Sequence, residues 1–504
     1  MHRRDFLSAA GLTGAVVALP SFALAQAETE RVTIRSREPA GPLPHIWEEC
    51  VGSDRAAITL RESWRDDIAR ARAELGIKRV RFHGILNDEL GVFTRTIQDR
   101  SGQPNFKNVA EVYDGLVARG ISPLVELSFM PGELASGKSA FGFYQGNITP
   151  PKSLEAWGLF IGRFARFLVD RYGLAAVAEW PFEVWNEPNL PFFWSGTQAD
   201  YFQLYKATAA ALKGVHPSLK VGGPATAQVG WIGDFLSFCA AENAPVDFVS
   251  THVYAGDDQK KLFGENRGLS VNQVIPAAVS QTRRQIQASR FAGLPLYLDE
   301  WSSDSPAMIA HVLSRVLGEA QMMSHWVLSG SYEELGPTPF LLAEGNFGYA
   351  QMIRGIPRPN YNTYRLLHAL GTERVMAEGP ALASRRADGG LSALVWNLAE
   401  ALQANGIPGS TTERKVTGGS KRLTISLPDL RPGQRLRIRQ VDQVRGSAMP
   451  AWRAMGSPRV PTMAQIEALR RSAQIPPAQT RRLGADGTLA LDLPPEGVAL
   501  IETP

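Results

Sequence analysis

The sequence predicts an α/β fold in which eight strand–helix units close into a (β/α)8 TIM barrel, followed by an all-β sandwich domain. Between residues 44 and 371, eight short β-rich runs alternate with longer stretches of helical period, which is typical of repeated βα units. After residue 371 the pattern changes to short alternating runs separated by Gly and Pro turns, which indicates a sandwich. A doubly wound sheet would show the same alternation, but no glycine-rich phosphate loop follows any of the eight runs.

Residues 1–27 predict a cleavable export signal. The pair Arg3-Arg4 precedes an apolar stretch over residues 9–24, which Pro20 interrupts, and small alanines at alternate positions end it over residues 23–27. This pattern is typical of a twin-arginine signal peptide. An uncleaved membrane anchor is the alternative, which the proline and the small-residue end disfavour. We therefore expect a periplasmic or secreted protein that has no membrane contact after signal removal.

The predicted domains follow the signal in chain order. Residues 28–43 form an N-terminal segment that could add a strand to the sandwich, residues 44–371 form the barrel, and residues 372–504 form the sandwich. The predicted barrel strands lie near residues 46–51, 79–82, 123–127, 182–185, 220–222, 248–251, 296–298 and 325–328.

Composition excludes several classes of function. The chain has 504 residues, a net charge of +4 and no long basic run, so nucleic acid is not an expected partner. Its two cysteines, Cys50 and Cys239, show no zinc-site spacing, and whether they form a disulfide is left open. We find no cofactor motif and no later bilayer-spanning segment, and therefore expect neither cofactor nor metal. Oligomeric state is not predicted.

Two glutamates stand at the ends of predicted strands. Residues 182–189 read FEVWNEPN, an apolar strand that ends at Glu187, and residues 296–301 read LYLDEW, where the seventh strand ends at Glu300. A TIM barrel builds its active site from the C-terminal ends of its strands, so these carboxylates should face each other across the mouth. Carboxylates roughly 5–5.5 Å apart would suit a double displacement at a sugar carbon with retention of configuration.

The alternative for each glutamate alone is an acid that satisfies a helix N-terminus. A pair of such acids at opposing strand ends makes the catalytic interpretation the stronger one. Asp299 directly precedes Glu300, and strand alternation predicts that its side chain points the other way, into the barrel wall or helix layer.

An ordered set of motifs resembles glycoside hydrolase family 39, the family of bacterial β-xylosidases and α-L-iduronidase. The resemblance covers nearly everything after the signal. The motifs are Trp47 with VGS at 51–53, RFHG at 81–84, VELSFMP at 125–131, EVWNEPNL at 183–190 with FW at 193–194, STHVY at 250–254, EW at 300–301, YEE at 332–334, FG at 347–348, RGIPRP at 354–359 and WRAMGSP at 452–458, the last resembling the family's sandwich.

The resemblance implies a role for each matching residue at the catalytic centre. Glu187 matches the family's acid/base and Glu300 its nucleophile. Asn186 would hydrogen-bond the sugar 2-hydroxyl, a contact that should strengthen in the oxocarbenium-like transition state. Tyr254 would donate to Glu300 and hold it ionised.

Five further residues match sugar-binding positions. His83 and His252 would bind sugar hydroxyls from the second and sixth strands, and Glu333 would do so after the eighth. Phe129 and Trp326 would offer flat faces on which a sugar ring could lie.

The family resemblance implies a retaining, exo-acting β-xylosidase whose substrate is a β-xyloside or xylo-oligosaccharide. Around the eighth strand the chain has His325, Val327 and Gly330 where the family commonly has an aromatic residue, a Thr and an Asp, so the sugar stays open. One alternative is the same chemistry on an arabinose-containing, acidic or other glycan. A catalytically silent carbohydrate-binding protein would be expected to lack one glutamate, and an exported oxidoreductase would need a cofactor site.

Overall fold

The computed structural model describes residues 28–95, 102–329, 350–405 and 414–504. The chain enters through the long strand β1 (Glu28–Pro42) and then forms a closed parallel barrel. The barrel strands are β2 (Val51–Arg55), β3 (Arg79–His83), β4 (Ser122–Glu126), β5 (Pro181–Glu183), β6 (Lys220–Thr226), β7 (Phe248–His252), β8 (Leu296–Trp301) and β9 (Met322–His325). This confirms the predicted (β/α)8 barrel.

A helix follows each barrel strand and covers the outside of the barrel. The eight helices are α1 (Glu62–Leu75), α2 (Lys107–Val117), α3 (Leu154–Tyr172), α4 (Gln198–Val215), α5 (Ile232–Ala241), α6 (Val271–Gln287), α7 (Pro306–Arg315) and α8 (Pro359–His368). Short helices at Leu174–Val177 and Gln259–Phe263 lie in the connections. In α3, Trp157, Phe160, Ile161 and Phe164 are buried at helical spacing, so this face packs into the core.

Two barrel strands are displaced from their predicted positions. The first was predicted over residues 46–51, but β2 begins only at Val51. The apolar residues that precede it, Ile46, Trp47 and Cys50, are buried in and beside a turn and not in a strand. The Trp47 ring stacks there on His45, with ring centroids 4.7 Å apart. The last strand was predicted over residues 325–328, whereas β9 ends at His325. It begins at the buried residues Met322 and Met323, which pair with β8.

A nine-stranded sheet forms the second part of the fold and confirms the predicted sandwich. Its order is β15-β14-β17-β12-β11-β10-β1-β13-β16, with β10 (Glu373–Glu378), β11 (Ala381–Arg385), β12 (Leu391–Trp396), β13 (Lys421–Ser426), β14 (Arg435–Val441), β15 (Gln479–Arg482), β16 (Thr488–Leu493) and β17 (Val498–Glu502). Strand β1 lies between β10, to which it is antiparallel, and β13, to which it is parallel.

The two faces of β12 show how the sandwich is attached to the barrel. Ala393 and Val395 point into the sandwich core, while Leu394 and Trp396 belong to the barrel core. Because side chains alternate across a strand, one strand serves both hydrophobic cores. The sheet is therefore joined to the barrel by buried apolar contacts.

The second domain is not purely β, which corrects the all-β prediction. Two helices, α9 (Met449–Ala454) and α10 (Met463–Ser472), lie between β14 and β15 and form a small core with Ile356. The WRAMGSP motif therefore begins on a helix. A capping box at Thr462 and Gln465, followed by Ile466 and Leu469 at helical spacing, was the sequence signal for α10.

The two cysteines are both buried and both carry free thiols, so no disulfide joins them. Among the described residues, no helix combines the length and the apolar character that a bilayer crossing requires.

Candidate active site

Glu187 and Glu300 meet at the mouth of the barrel. Glu187 follows β5, and Glu300 is the penultimate residue of β8. The backbone turns sharply before Glu187, which has a φ of 41° and donates its backbone N–H to the carbonyl of Ala225 at 2.7 Å. Only 8% of Glu187 and 7% of Glu300 is exposed, and an oxygen of each carboxyl lies within 4.8 Å of the other.

His252 lies between the two carboxyl groups. Its Nδ1 is 2.9 Å from Oε1 of Glu187 and 3.5 Å from Oε2 of Glu300. Burial, together with the positive charge of Arg81, lowers the pKa of His252 to about 4, against the pull of Glu300 in the other direction. The imidazole is therefore neutral near pH 7 and carries a hydrogen on one nitrogen only.

Two donors converge on Glu300. The Tyr254 hydroxyl donates to Oε1 at 2.5 Å, and NH1 of Arg81 donates to Oε2 at 3.3 Å. Burial raises the pKa of the Glu300 carboxyl, as does the like charge of Glu187, whereas the positive charge of Arg81 opposes the rise. Hydrogen bonds to a carboxylate favour its ionised form.

The side-chain oxygen of Asn186 is hydrogen-bonded, and its side-chain nitrogen is not. Its Oδ1 accepts a hydrogen bond from NH2 of Arg81 at 2.9 Å. Its Nδ2 is buried and has no hydrogen-bond partner among the described residues. Because buried amides are nearly always bonded, this donor is available to a bound molecule.

Arg81 is the centre of the polar barrel interior, and the sequence interpretation did not select it. Its guanidinium is fully buried, and it lies within 2.7–3.4 Å of carboxyl oxygens from four residues, which are Glu126, Glu183, Asp299 and Glu300. The sequence signal was the second arginine of the β-rich run RVRFH, at a position that strand alternation places on the same face as His83. Since a buried charge must be paired, that position predicts acidic partners on neighbouring strands.

Asp299 was predicted to point into the wall or helix layer, and this prediction is wrong. Its Oδ2 lies 3.4 Å from Nε of Arg81, inside the barrel. Asp299 shares this face with Tyr297, which packs on Phe248 at the lower end of the barrel. The strand is irregular between Leu298 and Trp301, so Glu300 also turns inward despite following Asp299 directly.

Asp299 and Glu183 form a buried carboxyl pair with oxygens within 4.8 Å of each other. Burial and the adjacent Glu183 charge raise the pKa of Asp299 well above its usual range. The pKa of Glu183 is lowered, because Arg81 and hydrogen bonds from Asp299 and Ser250 outweigh the effect of its burial. The opposite shifts favour a single proton on this pair, carried by Asp299.

His83 and Trp326 form one wall of the pocket. Nδ1 of His83 is 2.8 Å from Glu126, and its ring centroid lies 4.8 Å from that of Trp326. Trp326 packs closely over Gly52, where an added Cβ would lie 2.4 Å from the indole. The structure thus brings both predicted residues to the mouth.

Phe129 lies deeper than a sugar platform would. Its ring is fully buried and contacts the rings of His83, Phe141, Tyr144 and Trp185. A sugar could reach it only after neighbouring side chains move. Glu333, the remaining predicted sugar-binding residue, lies outside the described residues, as does Gly330.

Within the described part of the chain, three groups of histidine and carboxylate side chains have ligand atoms within 4.8 Å of one another. They are Glu187 with His252 and Glu300, Glu183 with His252 and Asp299, and His45 with Glu48 and His368. In the third group both histidines hydrogen-bond to Glu48 and lower its pKa to about 2, against the effect of its burial. These contacts account for the third group as an ion-pair cluster.

Comparison with known proteins identifies the family of this chain. The family described as glycosyl hydrolases family 39 matches residues 30–490. The chain belongs to glycoside hydrolase family 39. This confirms the resemblance inferred from the motifs, and the family 39 enzyme is an O-glycoside hydrolase that acts on a carbohydrate substrate.

The relatives align with the family 39 enzyme over both domains. A β-xylosidase of Caldicellulosiruptor saccharolyticus is 33% identical over 472 residues, which cover 88% of this chain and 92% of the relative. A β-xylosidase of Geobacillus stearothermophilus is 33% identical over 89% of this chain and 90% of the relative. The crystal structure of a monomeric β-xylosidase from Caulobacter crescentus CB15 superposes with a TM-score of 0.82, at 32% identity, covering 94% of this chain and 99% of that one.

Proposed function

We propose that this family 39 enzyme is a retaining, exo-acting β-xylosidase that releases xylose from β-xylosides or xylo-oligosaccharides. The observation that carries the mechanism is the approach of Glu187 and Glu300, whose nearest oxygens are within 4.8 Å. Inverting glycosidases separate their carboxyls by roughly 6.5–9.5 Å to admit a water molecule, whereas retaining ones keep them roughly 5–5.5 Å apart. The sugar is inferred from the β-xylosidase relatives, and exo action follows from that activity.

In this mechanism Glu300 attacks the anomeric carbon while Glu187 gives its proton to the leaving oxygen. A covalent glycosyl ester forms on Glu300 and the aglycone departs as an alcohol. Glu187, now ionised, takes a proton from water, and the resulting hydroxide displaces Glu300 from the sugar. Each displacement inverts the anomeric centre, so the product keeps its configuration.

The contacts of the two glutamates support this division of roles. Two side-chain donors, Tyr254 and Arg81, point at Glu300, which favours its ionised form. Glu187 faces the neutral imidazole of His252, whose Nδ1 can accept its proton. We therefore assign the single proton of the pair to Glu187, the acid.

The sugar is proposed to bind in the pocket between these residues. The open Nδ2 of Asn186 would donate to the 2-hydroxyl, and His83 would bind another hydroxyl beside the Trp326 face. Glu333 is proposed to contact a further hydroxyl, whereas both ring nitrogens of the buried His252 face carboxyl groups.

Hydrolysis of a panel of p-nitrophenyl glycosides tests the sugar, and proton NMR of the first sugar released tests the stereochemistry. We expect the β-xyloside to be the best substrate and the β-anomer to appear before mutarotation. Release of the α-anomer first would contradict retention, and a clear preference for another glycoside would contradict the β-xyloside assignment.

Export through the twin-arginine route is a separate proposal, because the signal lies outside the described residues. The paired Arg3-Arg4 supports it. Replacing both arginines with lysine should leave uncleaved precursor in the cytoplasm, as seen by cell fractionation. Continued appearance of mature protein outside the cytoplasm would contradict this route.

A further inference from the structure

Two loops at the mouth of the barrel carry a set of phenylalanines that the proposed chemistry does not use. The first loop follows β4 and contains the hairpin Ala140–Phe141 with Gly146–Asn147. The second follows Glu187 and contains Phe192 and Phe193. The loops are joined where the backbone N–H of Ser195 donates to the carbonyl of Ile148 at 2.9 Å.

Phe141, Phe192 and Phe193 form a continuous surface, here called the phenylalanine ridge. The ring centroids of Phe141 and Phe193 are 4.3 Å apart, and Phe192 lies 4.9 Å from Phe193 and 6.0 Å from Phe141. The inner end of the ridge reaches the pocket, because Phe193 lies 6.0 Å from His83. At the outer end Phe192 is 42% exposed.

The ridge is continuous in the chain with the proposed acid, and this continuity is the reason for assigning it to the leaving-group side of the pocket. Two successive turns connect it to the acid, since Leu190 N–H donates to the carbonyl of Glu187 and Phe193 N–H donates to that of Leu190. A general acid must touch the oxygen of the group it expels, so the aglycone extends from Glu187 toward its own loop. Trp185 fixes the ridge by donating its indole N–H to the Phe193 carbonyl at 2.8 Å.

The amide side chains of these loops are already hydrogen-bonded to backbone carbonyls. Gln145 donates to the carbonyl of Gly142, Asn147 to that of Gly137, and Asn189 to that of Ala227. A second sugar ring that lay on the ridge would carry hydroxyls around its edge, and the amides of these loops, already bonded to backbone carbonyls, would offer those hydroxyls few partners. A flat aromatic ring makes no such demand and packs well against phenylalanine.

We propose that the phenylalanine ridge is the leaving-group subsite of this enzyme and that it selects glycosides with an aromatic, phenol-derived aglycone over those whose leaving group is a second sugar. This rests on the proposed function, because it takes Glu187 as the acid. It adds the chemical class of the aglycone.

The test compares three β-xylosides on the full-length enzyme. One has a phenolic aglycone, one has a fluorinated alkyl aglycone of matched acidity, and the third is xylobiose. Matched acidity makes the two synthetic substrates equal in their need for proton donation, so they differ only in the ring. We expect Phe192→Ala to lower kcat/KM for the phenolic substrate about two- to tenfold, the worth of one aromatic contact. The other two substrates should change by less than about twofold.

Phe192→Trp supplies a conservative variant that should retain the aryl preference. Leu159→Ala removes an exposed apolar side chain from α3 and should leave all three substrates unaffected. Equal losses on all three substrates, no loss on any, or a loss confined to xylobiose would each overturn the proposal.

A measurement on the unmodified enzyme makes the result independent of folding. Phenyl 1-thio-β-xyloside should inhibit more tightly than its cyclohexyl counterpart, which has as many carbons but a puckered ring. Equal inhibition constants would contradict a flat subsite. If the glycoside panel finds another preferred sugar, the β-xyloside assignment fails, and the same aglycones on that sugar still test the ridge.

Discussion

The phenolic hydroxyl of Tyr254 donates to Oε1 of Glu300 at 2.5 Å, the shortest side-chain contact between the proposed nucleophile and its surroundings among those given above. Burial already raises the pKa of Glu300, and this donor stabilises the ionised form. In Tyr254→Phe the pKa should rise further. Because the nucleophile must be ionised, the acidic limb of the kcat/KM profile should move up by roughly one to two pH units.

Tyr205→Phe is the matched control for this prediction. Tyr205 lies on α4, and its hydroxyl donates to the carbonyl of Pro245 at 2.8 Å, away from the site. Loss of the Tyr205 hydroxyl should leave the acidic limb of the kcat/KM profile in place. An unchanged limb in Tyr254→Phe, or one that moves to lower pH, would refute the proposed role of Tyr254.

Rescue by azide should give products of opposite configuration in variants of the two glutamates. Glu300→Gly should lower turnover roughly 10³-fold or more, because no glycosyl ester can form, and added azide should restore activity with an inverted product. Glu187→Ala should retain the nucleophile, so azide should attack the glycosyl enzyme and give a product of retained configuration. NMR of the two glycosyl azides distinguishes these outcomes. If the configurations are exchanged between the variants, the assigned roles are exchanged too.

Arg81 should be essential for stability as well as for activity. It is fully buried and compensates the carboxyls of Glu126, Glu183 and Glu300. Arg81→Met leaves these groups without their cation, and we expect the free energy of unfolding in urea to fall by roughly 3–5 kcal/mol. Arg79→Met, two residues earlier, breaks only the peripheral pair with Glu49 and should cost about 0–1 kcal/mol. Similar losses in both variants would mean that Arg81 is not the centre of a buried charge cluster.

The proton on Asp299 predicts how stability depends on pH. The folded protein keeps this proton because the pKa of Asp299 is raised, whereas the unfolded chain loses it above about pH 4. Wild-type stability should therefore fall as pH rises, relative to Asp299→Asn, by ~1.4 kcal/mol per pH unit until Asp299 ionises in the folded state. Urea unfolding at a series of pH values measures the difference. Asp66→Asn, on the exposed face of α1, is the control, and its free energy of unfolding should change with pH as that of the wild type does. If the pH dependence of Asp299→Asn also matches that of the wild type, Asp299 carries no bound proton.

The strand-end glutamates were accessible to sequence reasoning because their signal is local. Glu187 and Glu300 each end a short apolar run, and the barrel rule then places both at one mouth. Tyr254 and Asn186 followed from the resemblance to the family. Arg81 did not, because its importance depends on four carboxyls contributed by three other strands, which no local window contains.

Asp299 shows a second limit. Strand alternation correctly separates its face from that of Leu298, but the irregularity after Leu298 brings Glu300 back to the interior. Nothing in the letters LYLDEW encodes that bulge. The displaced strand β2 has a similar origin, since residues buried in a turn are as apolar as those buried in a strand.

The position of β1 also determines the order in which the chain can fold. Its residues leave the ribosome before those of the barrel, yet Thr33 pairs with Glu378 and Glu28 with Lys421, whose synthesis follows that of the whole barrel. Until those partners emerge, both edges of β1 are unpaired and open to other chains. Nascent chains truncated before β10 should therefore contain a protease-sensitive N-terminus beside a barrel that is already compact, and only the last quarter of translation can protect it.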